Sequence, residues 1–353
     1  MPDPRQILLI RPSALGDVCR TVPVVASLKR AYPNAAIDWV VQDSFVDAVN
    51  RHPGVRRVIP FPRKKLGEAM RRGRVGEVFG FLRTLREPGY DVVIDAQGLV
   101  RSAIFAWSTR AVRRVGYANA QEFGWVAYTD RVREPRDRHT VDRMLGLLGP
   151  LGVEAAADMR LFADPQAVSD VMMEYPEPYA LVAPTSRWAS KRWPADRFAE
   201  LAKRLLDRGV PRVVLVGGPG ERDQCAPVLD LVGSLGRVSD RVGSTTIVQL
   251  MALVSRARVV VANDSAVLHM AVGFDRPLVA LYGPTDVGRV GPYRRDADVI
   301  QHLEPDDRLD HKHDANVALM ERITVDEVES ACAHRLEQRP AHPRLVGSWE
   351  QRA

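Results

Sequence analysis

Short, nearly continuous apolar runs recur along the first half of the chain, at Gln6 to Arg11, Ile37 to Val41, Arg57 to Pro60, Asp91 to Asp95 and Arg113 to Gly116. Segments of helix length separate them. Runs without polar alternation are what strands buried on both faces look like, so the pattern predicts a parallel sheet wound with helices. The rhythm restarts at Tyr179 to Ala183 and continues through Arg212 to Val216, Arg258 to Ala262 and Pro277 to Leu281, with helices predicted at Ala195 to Asp207 and Ile247 to Ser255. Two α/β domains are therefore expected. The polar, proline-bounded stretch Ala163 to Pro178, around a helix at Gln166 to Glu174, reads as the connector, with the main cleft beside it. Thr324 as N-cap with Asp326 and Glu327 in the first turn predicts a closing helix at Val325 to Leu336. Residues 337–353 read as a tail.

A chain of 353 residues with 46% hydrophobic and 27% charged residues is long enough for two cores and unlike a disordered or membrane-spanning chain. The longest apolar runs fall far short of the roughly 18 residues of a spanning helix. Ile7 to Ile10 is too short for the centre of a secretory signal, and Cys19, Cys225 and Cys332 lack the spacing of a disulfide framework or zinc ribbon. A cytoplasmic location is expected. The net charge of +6 favours anionic ligands without choosing among them.

Candidate chemistry gathers where strands end. The first strand runs into Arg11-Pro-Ser-Ala-Leu-Gly-Asp17, with a helix expected from about Thr21 and Pro23 in its first turn. Loops at the carboxyl ends of parallel strands bind ligands, so Asp17 can offer a carboxylate there; the plainer role is a loop residue or cap. The strand ending at Ala183 leads into Pro184-Thr-Ser-Arg-Trp-Ala-Ser-Lys-Arg-Trp-Pro194, which concentrates hydroxyls and cations. Thr185 and Ser186 suit phosphate oxygens, and Lys191 or Arg192 suits charge on a leaving diphosphate. Gly217-Gly-Pro-Gly-Glu221 allows close backbone approach to a nucleotide or is a plain tight turn. Asp264 and Ser265 open a helix whose N-terminus is a potential anion site, with His269 one turn on; a simple cap and a core histidine are the alternatives.

Asp296-Ala-Asp298 and His311-Lys-His313 specify no metal-ligand set and read as solvated loops. The stretch Arg63 to Arg86 is a basic amphipathic helix, suited to anionic lipid or to plain solvation. No nucleic-acid-binding motif accompanies its charge.

Taken in order, Ser13-Ala-Leu-Gly-Asp17 with Thr21-Val-Pro23, Asp38-Trp-Val-Val41, Tyr90 to Gly98, Thr185-Ser186 with Lys191-Arg-Trp-Pro194, Asn263-Asp-Ser265 with His269, and Tyr282-Gly-Pro-Thr-Asp286 resemble the lipopolysaccharide heptosyltransferases, glycosyltransferase family 9, and within it the heptosyltransferase I branch. The resemblance runs from about Ile7 to Leu336. It implies a GT-B fold, two Rossmann-like domains with parallel sheets facing a central cleft: an acceptor domain over residues 1–162, a linker over 163–178, an ADP-sugar domain over 179–324, and the closing helix returning toward the first domain. It further implies inverting transfer of heptose from ADP-L-glycero-D-manno-heptose to the Kdo region of a lipid A precursor, without a metal or cofactor. The partners implied are the ADP-sugar, an anionic lipid-linked acceptor and the cytoplasmic face of the inner membrane, with no nucleic acid. By motif, Asp17 is similar to the family's general base and Lys191 to its phosphate-neutralising cation. Thr185, Ser186, Glu221, Asp264, Ser265, Ala266 and His269 match positions around the donor. The family's usual Asp-Thr-Gly stands here as Asp264-Ser265-Ala266, which adds a methyl near the phosphate, and the loop before Lys191 is one residue longer. Another ADP-sugar or acceptor, or a noncatalytic nucleotide-sugar-binding protein of the same fold, are the competing readings.

Overall fold

A computed structural model describes residues 3–310, 312 and 314–337. The chain divides into two compact units, Met1–Leu161 and Phe162–Ala353. In the first unit the strands are β1 (Gln6–Ile10), β2 (Ala36–Gln42), β3 (Arg57–Phe61), β4 (Val92–Asp95), β5 (Arg113–Tyr117) and β6 (Asp130–Val132). Its helices are α1 (Leu15–Ala31), α2 (Arg63–Arg71), α3 (Val75–Arg86), α4 (Val100–Ser108) and α5 (Thr140–Gly146). All strand pairs are parallel, in the order β3-β2-β1-β4-β5-β6. Ile7, Leu8, Leu9 and Ile10 have no exposed surface, as expected of a central strand covered on both faces.

The second unit repeats this plan. Its strands are β7 (Tyr179–Ala183), β8 (Arg212–Gly217), β9 (Val238–Val242), β10 (Val259–Asn263), β11 (Leu278–Leu281) and β12 (Val299–Ile300), in the parallel order β12-β11-β10-β7-β8-β9. Its helices are α6 (Pro165–Glu174), α7 (Ala195–Asp207), α8 (Ala226–Leu229), α9 (Leu231–Leu235), α10 (Ile247–Arg256), α11 (Ala266–Gly273), α12 (Val287–Val290), α13 (Ala318–Glu321) and α14 (Val325–Glu337). In both sheets the strand order reverses direction beside the first strand, between β1 and β4 and between β7 and β10. Doubly wound sheets bind ligands outside the strand ends at such switch points.

Four expectations need correction. The first helix begins at Leu15, not near Thr21, so Asp17 lies in its first turn and Pro23 lies inside it. Pro23 has no N–H for the helical ladder, and the Ser27 hydroxyl donates to its carbonyl at 2.7 Å. The basic stretch Arg63 to Arg86 forms two helices, α2 and α3, broken where Gly73 adopts φ +70°. The connector helix α6 buries Ala167 and Val171 and packs on α10, so it is part of the second unit. Asp298 is not a solvated-loop residue: it is 7% exposed and holds Arg335 at 2.7 Å, with Arg295 also on its carboxylate. His311, His313 and the tail beyond Glu337 lie outside the described residues. The closing helix α14 sets Val328 and Cys332 into the second unit's core and packs on α7, β10 and β11.

Candidate active site

At the switch point of the first sheet, the loop after β1 meets the loop after β4. The Asp17 carboxylate, with 23% of its side chain exposed, lies between two buried arginines: Arg11 Nη2 reaches Oδ2 at 2.9 Å, and Arg20 binds Oδ1. The Ala14 N–H donates to the same Oδ2 at 3.1 Å, closing the helix start as an acidic residue in the first turn commonly does. Burial by itself would raise the Asp17 pKa, but the charges of Arg11 and Arg20 and the hydrogen bond from Ala14 outweigh it and hold the carboxyl well below the usual carboxylate range. Asp17 is thus both helix-end partner and cluster centre. Around it the cations outnumber the carboxylate by two to one.

The β4 loop holds this arrangement in place. Arg11 Nη1 donates to the Ala96 carbonyl, and the Gln97 side-chain oxygen accepts the Ser13 N–H at 3.2 Å. That loop is itself shaped by Asp95, fully buried, which accepts the Gln97 N–H at 2.9 Å, the Gly98 N–H at 3.2 Å and the Tyr128 hydroxyl at 2.6 Å. Burial pushes the Asp95 carboxyl up, with these hydrogen bonds only partly offsetting it. Arg11, Arg20, Gln97 and Asp95 were not singled out as functional in the sequence. Only the i to i+3 spacing of Asp17 and Arg20 could have signalled one of them, given the correct helix start.

At the switch point of the second sheet, the loop after β7 meets the start of α11. Lys191 Nζ lies 2.6 Å from Asp264 Oδ2, both side chains close to nine-tenths buried. Asn263, fully buried, clamps the loop by donating to the Pro184 carbonyl at 2.7 Å and accepting the Trp193 N–H at 3.0 Å. The Ser186 N–H donates to the Gln224 side-chain oxygen at 3.1 Å, and its hydroxyl approaches the Asp264 carbonyl at 3.4 Å. Thr185 packs against Gly217, where an added Cβ would lie 2.9 Å from its methyl, so only glycine lets the end of β8 come this near. Gly283 does the same on the other side, leaving room for the Ser190 carbonyl.

Asp264 does not cap α11; its carboxylate goes to Lys191. Ser265 holds the cap position with extended backbone but makes no capping hydrogen bond, and its buried Oγ has no partner. The helix start therefore presents the N–H groups of Ala266 and Val267 without a side-chain cap, the arrangement that receives an anion. His269 is buried one turn on, at 4% exposure. Glu221 is turned onto its own glycine loop, where it accepts the Gly218 N–H at 2.7 Å. From that segment it is Gln224, overlooked in the sequence, that holds Ser186. Among the described residues no three His, Cys, Asp or Glu side chains are grouped to hold a metal.

Two doubly wound units with polar and charged side chains gathered at each switch point define a transferase fold of the GT-B class. Residues 78–316 match glycosyltransferase family 9 (heptosyltransferase), and this chain belongs to that family. It is 32% identical to lipopolysaccharide heptosyltransferase 1 of Pseudomonas aeruginosa, over 82% of each chain. With lipopolysaccharide heptosyltransferase 1 of Escherichia coli K12 it shares 28% identity, over 82% of this chain and 91% of that one. Among solved structures, E. coli ADP-heptose lps heptosyltransferase II superposes with a TM-score of 0.78 at 24% identity, covering 94% of this chain and 98% of that one. E. coli heptosyltransferase WaaC with ADP gives 0.75 at 24% identity, over 94% and 99%.

Proposed function

We propose that this glycosyltransferase moves heptose from ADP-L-glycero-D-manno-heptose to the Kdo region of a lipid A precursor in lipopolysaccharide core synthesis, with inversion, without metal or cofactor, peripherally at the cytoplasmic face of the inner membrane. The observation that carries this reading is the chemical division between the switch points: a carboxylate among arginines at one, and a buried lysine beside an uncapped helix start at the other. The names of the relatives above, and the ADP held by a structural relative, support it.

In this reading the donor diphosphate rests on the first N–H groups of α11 and on Lys191. The lysine ammonium has three donors, so it can hold Asp264 with one and a phosphate oxygen with another. Thr185, Ser186 and the unpartnered Ser265 hydroxyl complete the phosphate cradle. The acceptor hydroxyl gives its proton to Asp17 as its oxygen bonds to the anomeric carbon. The bond from that carbon to the diphosphate breaks on the opposite side, and the departing ADP takes the electron pair and is stabilised by Lys191 and the helix start. Without acceptor, Asp17 is a weak base because two guanidinium groups stabilise its charge. An acceptor bearing carboxylates, as Kdo does, competes for those groups and raises the basicity of Asp17 when the substrate is in place.

One local feature favours a second reading, another ADP-sugar: the methyl of Ala266 at the helix start, where the family usually has glycine. Measuring ADP release from ADP-heptose with and without a Kdo-bearing lipid A acceptor separates the cases. Acceptor-dependent release is expected. ADP binding without release would make the chain a nucleotide-sugar-binding protein, and release only with a different ADP-sugar would select the second reading.

A further inference from the structure

Helices α3 and α4 each turn one aromatic ring inward and one outward. Phe81 and Phe105 are buried with Phe61 of β3, ring centroids 5.0 to 5.6 Å apart. Phe79 and Trp107 stand two positions away in sequence, roughly 200° around the helix, and are 67% and 66% exposed. The inner trio anchors both helices, so the outer rings are not there to fill a core. Together with Leu82 they line a groove of about 500 Å³ on the surface of the first unit.

Apart from Ser108, the rest of that groove is arginine: Arg83, Arg86, Arg110 and Arg114. No carboxylate lines it. Arg83 leans on Glu87 at 3.4 Å with both side chains exposed, a pairing too solvated to cancel its charge. Arg114 donates to the carbonyls of Ala111 and Ala127, which are neutral. Among the described residues no ion pair forms at Arg86 or Arg110. The surroundings repeat the bias: residues 63–86 hold eight Lys and Arg against two Glu, and no Asp or Glu occurs between Asp95 and Glu122.

We propose that the α3–α4 face is the docking surface for an anionic lipid bilayer, with Phe79 and Trp107 entering the interfacial layer and Arg83, Arg86 and Arg110 meeting lipid phosphates. This deepens the peripheral-membrane reading above and rests on it. Exposed aromatic rings bordered by long cationic side chains match the layered chemistry of a bilayer surface, apolar below and anionic above. A second copy of this chain fits the face poorly, because a two-fold pairing would set the same arginines against one another. Among the described residues no helix is long and apolar enough to cross a membrane, so attachment through this face would be superficial.

The test is cosedimentation of the full chain with phosphatidylcholine vesicles, with and without phosphatidylglycerol, at low and high salt. The parent protein should bind only the anionic vesicles, and less at high salt. Two variants, Phe79→Ser with Trp107→Ser, and Arg83→Gln with Arg86→Gln and Arg110→Gln, should each lose about tenfold or more in vesicle affinity, the first by giving up the apolar anchors and the second by giving up three cationic contacts. Both should melt like the parent and transfer heptose to an acyl-free soluble acceptor at the parent rate. Variants that bind as the parent does overturn this face while leaving the membrane reading standing on another surface. A parent that ignores anionic vesicles overturns both. Light scattering that shows a dimer separated by these substitutions assigns the face to a second copy and overturns the lipid proposal.

Discussion

The two switch points share one topology and differ in how charge is balanced. In the first unit one carboxylate faces two buried arginines, leaving a surplus of positive charge. In the second unit one lysine meets one carboxylate, and the open feature is a neutral one, an uncapped helix start. A surplus cation waits for an anionic ligand and suppresses the basicity of the group it guards. A balanced pair keeps a lysine ordered beside peptide dipoles left without a side-chain cap. In the proposed reaction the same backbone plan serves proton acceptance at one switch point and leaving-group stabilisation at the other.

The largest expected effect comes from removing the guarded charge. Asp17→Asn keeps an oxygen for the Ala14 N–H but cannot accept a proton, so turnover should fall by roughly 10² to 10⁴ while ADP affinity stays near the parent value. Comparable heptose transfer by the two proteins would reduce Asp17 to a helix-end partner. Next comes Lys191→Ala. Losing a hydrogen bond to a charged group, worth about 1.5 to 3 kcal/mol, should raise the Michaelis constant for donor about 10- to 100-fold. The variant should also melt lower, because Asp264 is left buried and unpaired. Adding Asp264→Asn should restore the melting temperature and leave the donor defect, which separates the structural from the functional role of the pair.

The acid side of the stability curve sharpens the contrast within the first unit. Because the Asp17 pKa is depressed on folding, its contribution is fully present above the unfolded value of about 3.9 and is lost as pH falls below it. Asp95 is raised, so it has the opposite sign and weakens the fold as pH rises past that value. Melting curves between about pH 2 and 5 should therefore fall less steeply toward acid in Asp17→Asn than in the parent; parallel curves would mean that the two arginines do not hold the charge. The smallest effect is expected from Ala266→Gly. One methyl is worth about 0.8 kcal/mol, so donor affinity should change by about fourfold at most.

The central strands were legible because burial on both faces writes itself as an unbroken apolar run: Tyr179–Ala183 was read with its observed limits, and Arg57 and Arg113 were placed correctly as strand starts. The strands β6 and β9 were missed for the converse reason. They lie at sheet edges, where sequences such as Val-Ser-Asp-Arg-Val need bury only their ends. The start of α1 was misread because Pro23 was given the first-turn place in which proline is usually tolerated. That error also hid Arg20, which meets Asp17 only when both lie on the same helix. The positions of Asp17, Lys191 and Asp264 after strand ends were legible from the loop pattern, and the roles proposed for them rest on resemblance to a family. Their partners Arg11, Gln97 and Gln224 come together through tertiary folding, which no spacing in the sequence records.

The indole N–H of Trp193 donates to the Ile323 carbonyl at 2.9 Å, just before α14, and Arg204 of α7 and Arg208 just after it hold Glu329 within α14. Trp193 stands two residues after Lys191 and is clamped by Asn263. The chain's last described helix is therefore a buttress for the lysine loop, some 130 positions away in sequence. For anyone engineering the protein, this marks a segment that shortening must leave in place. Deleting from residue 323 onward would remove the Trp193 acceptor together with Val328 and Cys332, and so uncover the core of the second unit that they cover.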